Sequence, residues 1–164
     1  MKSKIFVLFI SLFMIFSMTG CIHNGDAQFA IKNTKTLISY IENSDKASIK
    51  NMFAPNIREE VDELDEQIDA LCEYWKGEYV SLASMGVGGT RSMHYGVVVD
   101  IVDFAYDIKT SESNYRIAVL WYRRDDTDAN NEGIWYLWVD SYADDEAANY
   151  TGKWENYNVG ITLM

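Results

Sequence analysis

Three groupings in the sequence have residue types suited to chemistry. The first is an acid–base set. Ser92 to Lys109 has the pattern of one long extended stretch, within which His94, Asp100 and Tyr106 share a strand parity and face one side. An Asp or His base beside a Tyr donor is the equipment of isomerase- or dehydratase-type proton transfer. The spacing works against a direct dyad, because six residues put His94 roughly 20 Å from Asp100 along a straight strand. Asp103 has the opposite parity. The second grouping is Asp126-Thr-Asp128-Ala-Asn130, whose alternating oxygens match the start of a calcium loop. Its continuation departs from that pattern, with Asn131 in place of the turn glycine and Leu137 in place of the bidentate glutamate. The expectation is a polar hairpin loop and no metal site. The two histidines, His23 and His94, with one further thiol at Cys72, do not make a zinc set either.

The third grouping is aromatic. Trp121, Tyr122, Trp135, Tyr136, Trp138, Tyr142, Tyr150, Trp154 and Tyr157 crowd the C-terminal half. In Ile134–Tyr142 both parities are apolar: Trp135, Leu137 and Val139 on one side, Ile134, Tyr136 and Trp138 on the other. One side must pack on the helices, which leaves the other as a second buried layer, a pocket lining or an exposed stacking platform. Trp121, Trp135, Tyr136 and Trp138 are the expected ligand-binding residues. The function expected is a binding module, not an enzyme, with no cofactor. Acid–base catalysis in a pocket by His94 or Asp100 is the alternative.

The elements that must position these groups follow from periodicity. Ala30, Leu37, Ile38 and Ile41 give a helical stripe over 28–42, and Asn43-Ser44-Asp45 offers caps for a short helix over 46–53 ended by Pro55. Val61, Leu64, Ile68, Leu71, Cys72 and Trp75 recur at steps of three and four. They predict a third helix, capped by Asn56 with Glu59 reaching back and closed by Gly77. The opposite face of that helix is acidic and reads as solvated, and Cys72 as a buried, inert thiol. After Gly77 the period becomes two: a short strand over 78–85, a flexible turn at Gly86–Gly89, the long stretch 92–109 with a bend near Gly96 or Asp100–Asp103, a turn at 111–114, and strands at 115–124, 134–142 and 160–163. Helices followed by a strand meander are an α+β pattern: three N-terminal helices packed on a curved antiparallel β-sheet.

The N-terminus carries a different signal. Lys2 and Lys4 precede an apolar run from Ile5 to Met18, too short to span a bilayer comfortably. Met18-Thr19-Gly20-Cys21 then resembles the bacterial lipobox. That resemblance implies diacylglyceryl (palmitate-type) transfer to Cys21 and cleavage between Gly20 and Cys21. The domains expected are a signal peptide over 1–20, a lipidated tether over 21–27 and one globular domain over 28–164. Cleavage removes two lysines and no acid, moving the formal charge from −11 to −13. Such a surface is repelled by phosphate backbones, so nucleic acid is excluded as a partner. With Cys21 occupied, Cys72 has no partner for an intrachain disulfide.

The lipobox, the helix pair, Asp65-Glu66-Gln67-Ile68-Asp69, Trp75-Lys-Gly77-Glu and Tyr115-Arg116-Ile117 resemble a family of uncharacterised lipoproteins from Gram-positive bacteria. The α+β order resembles the nuclear transport factor 2-like cone, in which a curved sheet wraps a long helix and leaves a pocket. The resemblance implies a fold and a location at the extracytoplasmic face of the cell membrane; it brings no catalytic residues. The partners expected are the membrane, through the lipid, and a small molecule, glycan or envelope protein, with a homodimer through the sheet face as a further arrangement.

Overall fold

A computed structural model of the chain describes residues 24–142 and 160–163. The expected cleavage and lipidation residues Gly20 and Cys21, and the segment 143–159 with Tyr150, Trp154 and Tyr157, lie outside the described residues. Helix α1 spans Asn24–Glu42 and buries Ala30, Leu37, Ile38 and Ile41, the stripe expected from spacing. It starts within the expected tether, so residues 24–27 are helical. Thr34 lies on the buried stripe, where its hydroxyl donates to the Ala30 carbonyl at 2.8 Å. That back-bond satisfies a polar group that would otherwise cost free energy in the core. Helix α2, Lys46–Met52, is capped by the Asp45 carboxylate, which accepts from the Ser48 amide at 3.1 Å.

The expected third helix is two. Pro55 opens α3, Pro55–Glu60, at a position where its missing N–H is no loss. The chain breaks at Val61 and resumes as α4, Leu64–Tyr74. Glu59, Glu60, Asp62 and Glu63 explain the break, because carboxylates are unfavourable at the negative end of one helix and favourable at the positive start of the next. Asn56 does not cap. Its amide donates instead to Asn131 at 2.7 Å and Asp128 at 3.2 Å. Lys46–Asp69 and Lys50–Asp65, both 2.8 Å, link α2 to α4 across their exposed sides. No helix among the described residues is long and apolar enough to cross a membrane.

Five strands follow, so the fold is α+β with a five-stranded sheet in the order β1-β2-β3-β4-β5. They are β1 Tyr79–His94, β2 Val97–Thr110, β3 Asn114–Asp125, β4 Gly133–Tyr142 and β5 Gly160–Leu163. The first four are antiparallel, and β5 runs parallel to β4. Two expectations are overturned here. The single stretch 92–109 is a hairpin, turned by Tyr95 and Gly96 with φ of 51° and 87°, a left-handed pair that fits the two-residue turn of a twisted hairpin. The expected turn at Gly86–Gly89 is strand, paired with Val102–Ala105 of β2. Its glycines stand where other side chains cross β1: a Cβ at Gly88 would lie 2.7 Å from the Asp103 carboxylate.

Val102, Phe104, Tyr106 and Ile108 of β2, with Tyr115, Ile117 and Val119 of β3, make the sheet's half of the core, and the helices supply the other half. Trp75 closes one end, stacked on Tyr115 at 4.4 Å. The Tyr115 hydroxyl accepts from the Lys76 amide at 2.7 Å and donates to the Tyr74 carbonyl at 3.1 Å. On the opposite sheet face Arg116, only 5% exposed, forms a two-pronged pair with Asp107 at 2.6 and 3.0 Å.

Candidate functional site

Strand alternation should send successive side chains to opposite faces, yet Trp121, Tyr122 and Arg123 all border one cavity. Two irregularities in the ladders of β3 lie here, one with its extra residue on β4 and one with its extra residue on β3. Between Leu120 and Trp121 the register with β4 jumps from Tyr136 to Ile134, leaving Trp135 as an extra residue. Between Asp100 and Ile101 the register with β2 skips Arg123. Each is a bulge that increases local twist and re-aims side chains. The cavity they border has a volume of about 600 Å³ and lies where α1 and α2 meet the end of β3. Asn33, Thr36 and Tyr40 reach it from α1 at steps of three and four, beside the buried stripe. Ser48, Asn51 and Met52 reach it from α2, and Glu132 closes the far side.

Arg123 is the best-anchored of these groups. Its guanidinium pairs with Asp26 at 2.6 Å and Asp100 at 2.7 Å, and lies 5.4 Å from the Phe29 ring centre. Burial works against its charge, but hydrogen bonds to Asp100 and Asp26 more than offset this and raise its pKa above the ordinary arginine value. Phe29 in turn meets Trp121 edge-on at 5.3 Å. Glu132 is also engaged, accepting from the Asp125 amide at 3.1 Å. The cavity therefore offers three aromatic rings, amides and hydroxyls, with Arg123 already paired to two carboxylates and Glu132 already accepting a backbone hydrogen bond.

Residues 36–160 match the family described as Domain of unknown function (DUF5104). The chain belongs to this family. No curated protein matches it. The DUF5104 segment starts within α1 and ends at the first residue of β5, so most of the cavity lies inside it, while Asp26, Phe29 and Asn33 lie before it.

Of the four expected binding residues, the DUF5104 domain brings two to the cavity region. Trp121 borders it. Trp135 backs it, its ring 4.8 Å from Tyr122 and its Nε1–H donating to the Asn131 carbonyl at 2.7 Å. Tyr136 and Trp138 are on the other sheet face, buried with Ala118. The bulge at Trp135 explains the changed parity: Ile134 joins Leu137 and Val139 in the main core. Sequence reasoning did not single out Arg123, Tyr40 or Asn33, and counted Tyr122 only among the aromatic crowd.

The acid–base set does not assemble. The Tyr95-Gly96 turn puts His94 on β1 and Asp100 on β2, and His94 faces with Val97, not with Val98 and its neighbours. Asp100 is bound to Arg123, and Tyr106 is buried in the core, where desolvation raises its pKa. The Asp126–Asn130 oxygens are likewise taken up by the protein. Asp126 clamps Arg124 at 2.6 and 2.9 Å and accepts from the Val98 amide. Asp128 caps the 3-10 turn Ala129–Asn131 through the Asn130 amide at 3.0 Å. Among the described residues no cluster of three or more His, Cys, Asp or Glu side chains could hold a metal ion. The organiser of this loop is Asp125, which is buried and accepts from the Thr127 amide and hydroxyl, the Asp128 amide and the Asn131 amide group. The hydrogen bonds from Thr127 and then Asn131 hold its pKa down at about 2. Cys72 is a free, half-buried thiol that burial pushes above its ordinary pKa, against the thiolate needed for reactivity.

Proposed function

We propose that this DUF5104 protein is a lipid-anchored extracytoplasmic binding module, and that its cavity takes a neutral, hydroxyl-rich ligand of the glycan class. The reading rests on one observation: beside two bulges, three consecutive residues, Trp121, Tyr122 and Arg123, line a 600 Å³ cavity faced by helix amides and hydroxyls. That volume is in the range of small-molecule sites. Ring faces beside amides and hydroxyls suit the mixed apolar and polar faces of a sugar. A charged ligand would have to break the Asp26–Arg123–Asp100 set, while a neutral one leaves it intact. The nuclear transport factor 2-like cone is part of this proposal, supported by α1 and α4 lying against the core face of a bulged sheet. Anchoring through Cys21 is supported by Lys2 and Lys4, the apolar run and the Met18–Cys21 motif. Lipidation and cleavage place the domain at the outer face of the cell membrane.

The test is a thermal-shift screen of a soluble form starting at Asn24, which retains Asp26, against neutral oligosaccharides, peptidoglycan fragments, lipids and calcium with a chelator control. A ligand at a hundred times its dissociation constant adds about 2.7 kcal/mol, a rise of several degrees for a domain of this size. The expected outcome is a shift from the neutral sugars that Tyr122→Ala removes. A flat response across the panel would sink the reading. A shift from lipids alone, or from calcium alone, would replace the ligand class.

A further inference from the structure

Helix α1 is pinned to β1 at both ends. Near its C-terminus the Glu42 carboxylate accepts from the Tyr79 amide. Near its N-terminus Asp26 lies over Gly89, close enough that a Cβ there would sit 2.8 Å from the Asp26 carboxylate. The helix thus runs back along β1 from Tyr79 to Gly89 and starts two residues beyond, at Asn24. The strand continues five residues further, to His94. At about 3.3 Å per strand residue the β1–β2 hairpin overhangs Asp26 by roughly 16 Å, and the helix start, two residues earlier at about 1.5 Å each, by roughly 13 Å.

This overhang has an unusual surface. Met93 is 72% exposed, Tyr95 98% and Val97 40%, with no other described element over them. Its charge is unusual too. In a chain with 25 acidic residues, none falls between Glu78 and Asp100, and the stretch carries Arg91. The acids that follow are engaged, Asp100 with Arg123 and Asp126 with Arg124. The tip of the hairpin, Met93 to Val99, therefore carries no acid in a negatively charged molecule, and Asp100 at its base is held by Arg123.

We propose that the hairpin tip, Met93 to Val97, is a second membrane contact, seated in the headgroup region of the bilayer beside the lipid anchor. This rests on the anchoring at Cys21 proposed above. Cys21 precedes Asn24 by three residues, a reach of about 11 Å at most. A lipidated Cys21 therefore holds the helix start closer to the bilayer than the roughly 13 Å by which the hairpin extends past it. The tip meets the membrane before the rest of the domain does. Methionine and valine supply apolar area, and tyrosine suits the interface, with an apolar ring and a polar hydroxyl. Arg91 lies across the ladder from Asp100, a carboxylate already held by Arg123, and adds a positive charge that favours anionic headgroups.

The experiment uses the full chain, processed in a Gram-positive host and reconstituted into vesicles of phosphatidylglycerol and phosphatidylethanolamine. A nitrobenzoxadiazole probe is placed by Tyr95→Cys in a Cys72→Ser background. A control probe at Glu112→Cys marks the opposite end of the sheet. The expected result is a blue-shifted emission at position 95, quenched at least twofold by doxyl lipids, with position 112 unchanged. A chain that floats with the vesicles while both probes stay in water overturns the tip contact and leaves the anchor standing. A chain that does not float overturns the anchor and the tip contact together. A blue shift at position 95 that grows with protein density and resists doxyl lipids overturns the proposal in favour of a second copy covering the tip.

Discussion

The β1–β2 turn and the β3–β4 connection leave the same end of the sheet, since Val99 of β2 pairs with Asp125 of β3. They are finished in opposite ways. The β3–β4 connection is folded on the buried Asp125 carboxylate and tied to α3 through Asn56. Among the described residues the β1–β2 turn touches nothing beyond its own strands, and its largest side chain, Tyr95, is open to solvent. Each contains a glycine with a left-handed φ, Gly133 at 136° and Gly96 at 87°. A Cβ at Gly133 would lie 2.5 Å from the Ala54 amide nitrogen, and one at Gly96 meets nothing within 4 Å. Polar loops that stay near the body are organised by satisfied carboxylates. A projecting hairpin needs only local turn geometry, so its outward side chains are left free for another role.

The sharpest way to break this comparison is at the two glycines. Gly133→Ala combines an unfavourable φ with collision against the Ala54 backbone and should cost about 4 kcal/mol in urea denaturation. Next comes Asp125→Ala, which strands the donors of Thr127, Asp128 and Asn131 and should cost about 3 kcal/mol. This carboxylate also has a pH signature. Its folded pKa of about 2 lies below the unfolded value near 3.9, so its contribution is complete above about pH 4 and is lost as pH falls towards 2. Asp125→Asn should flatten that part of the stability–pH curve. Gly96→Ala changes φ preference alone and should cost about 1 kcal/mol. Smallest of all, Tyr95→Ser and Met93→Ser should leave stability within about 0.5 kcal/mol of the parent. A large loss at Tyr95, or a small one at Gly133, would erase the distinction between the two connections.

What the sequence disclosed and what it hid divide along the same physical line. The buried stripes of α1 and α4 were legible because helical spacing is a property of neighbouring residues. The strands at 115–124, 134–142 and 160–163 were legible within a residue or two for the same reason. The Tyr95-Gly96 turn was not, because a tyrosine in the left-handed region is no usual turn signal and the three valines after it continue a strand pattern. Gly86–Gly89 looked like a turn because glycine's role there, making room for Asp103 and Asp26, depends on residues far along the chain. The bulges that build the cavity depend on register between strands, which no local pattern encodes. Trp121 was therefore found by its type, while Arg123 emerged only with Asp26 and Asp100 around it. Asp125 was passed over for the alternating Asp126, Asp128 and Asn130, since burial, not spacing, makes it the loop's organiser.

Strand β5 has a consequence for the order of assembly. It takes its ladder from β4 in a parallel sense, Tyr136 to Gly160 through Val139 to Leu163, and the Ile161 amide donates to Gln67 of α4 at 2.9 Å. Neither surface exists until β4 has joined the sheet and α4 has packed on it. Parallel pairing also requires a long connection to close first, at an entropic cost that adjacent hairpins escape. Strand β5 should thus be the last rung to form and the first to release. In hydrogen exchange its amides should open locally, while those of Ile117 and Val119 at the sheet's centre wait for the whole domain to unfold.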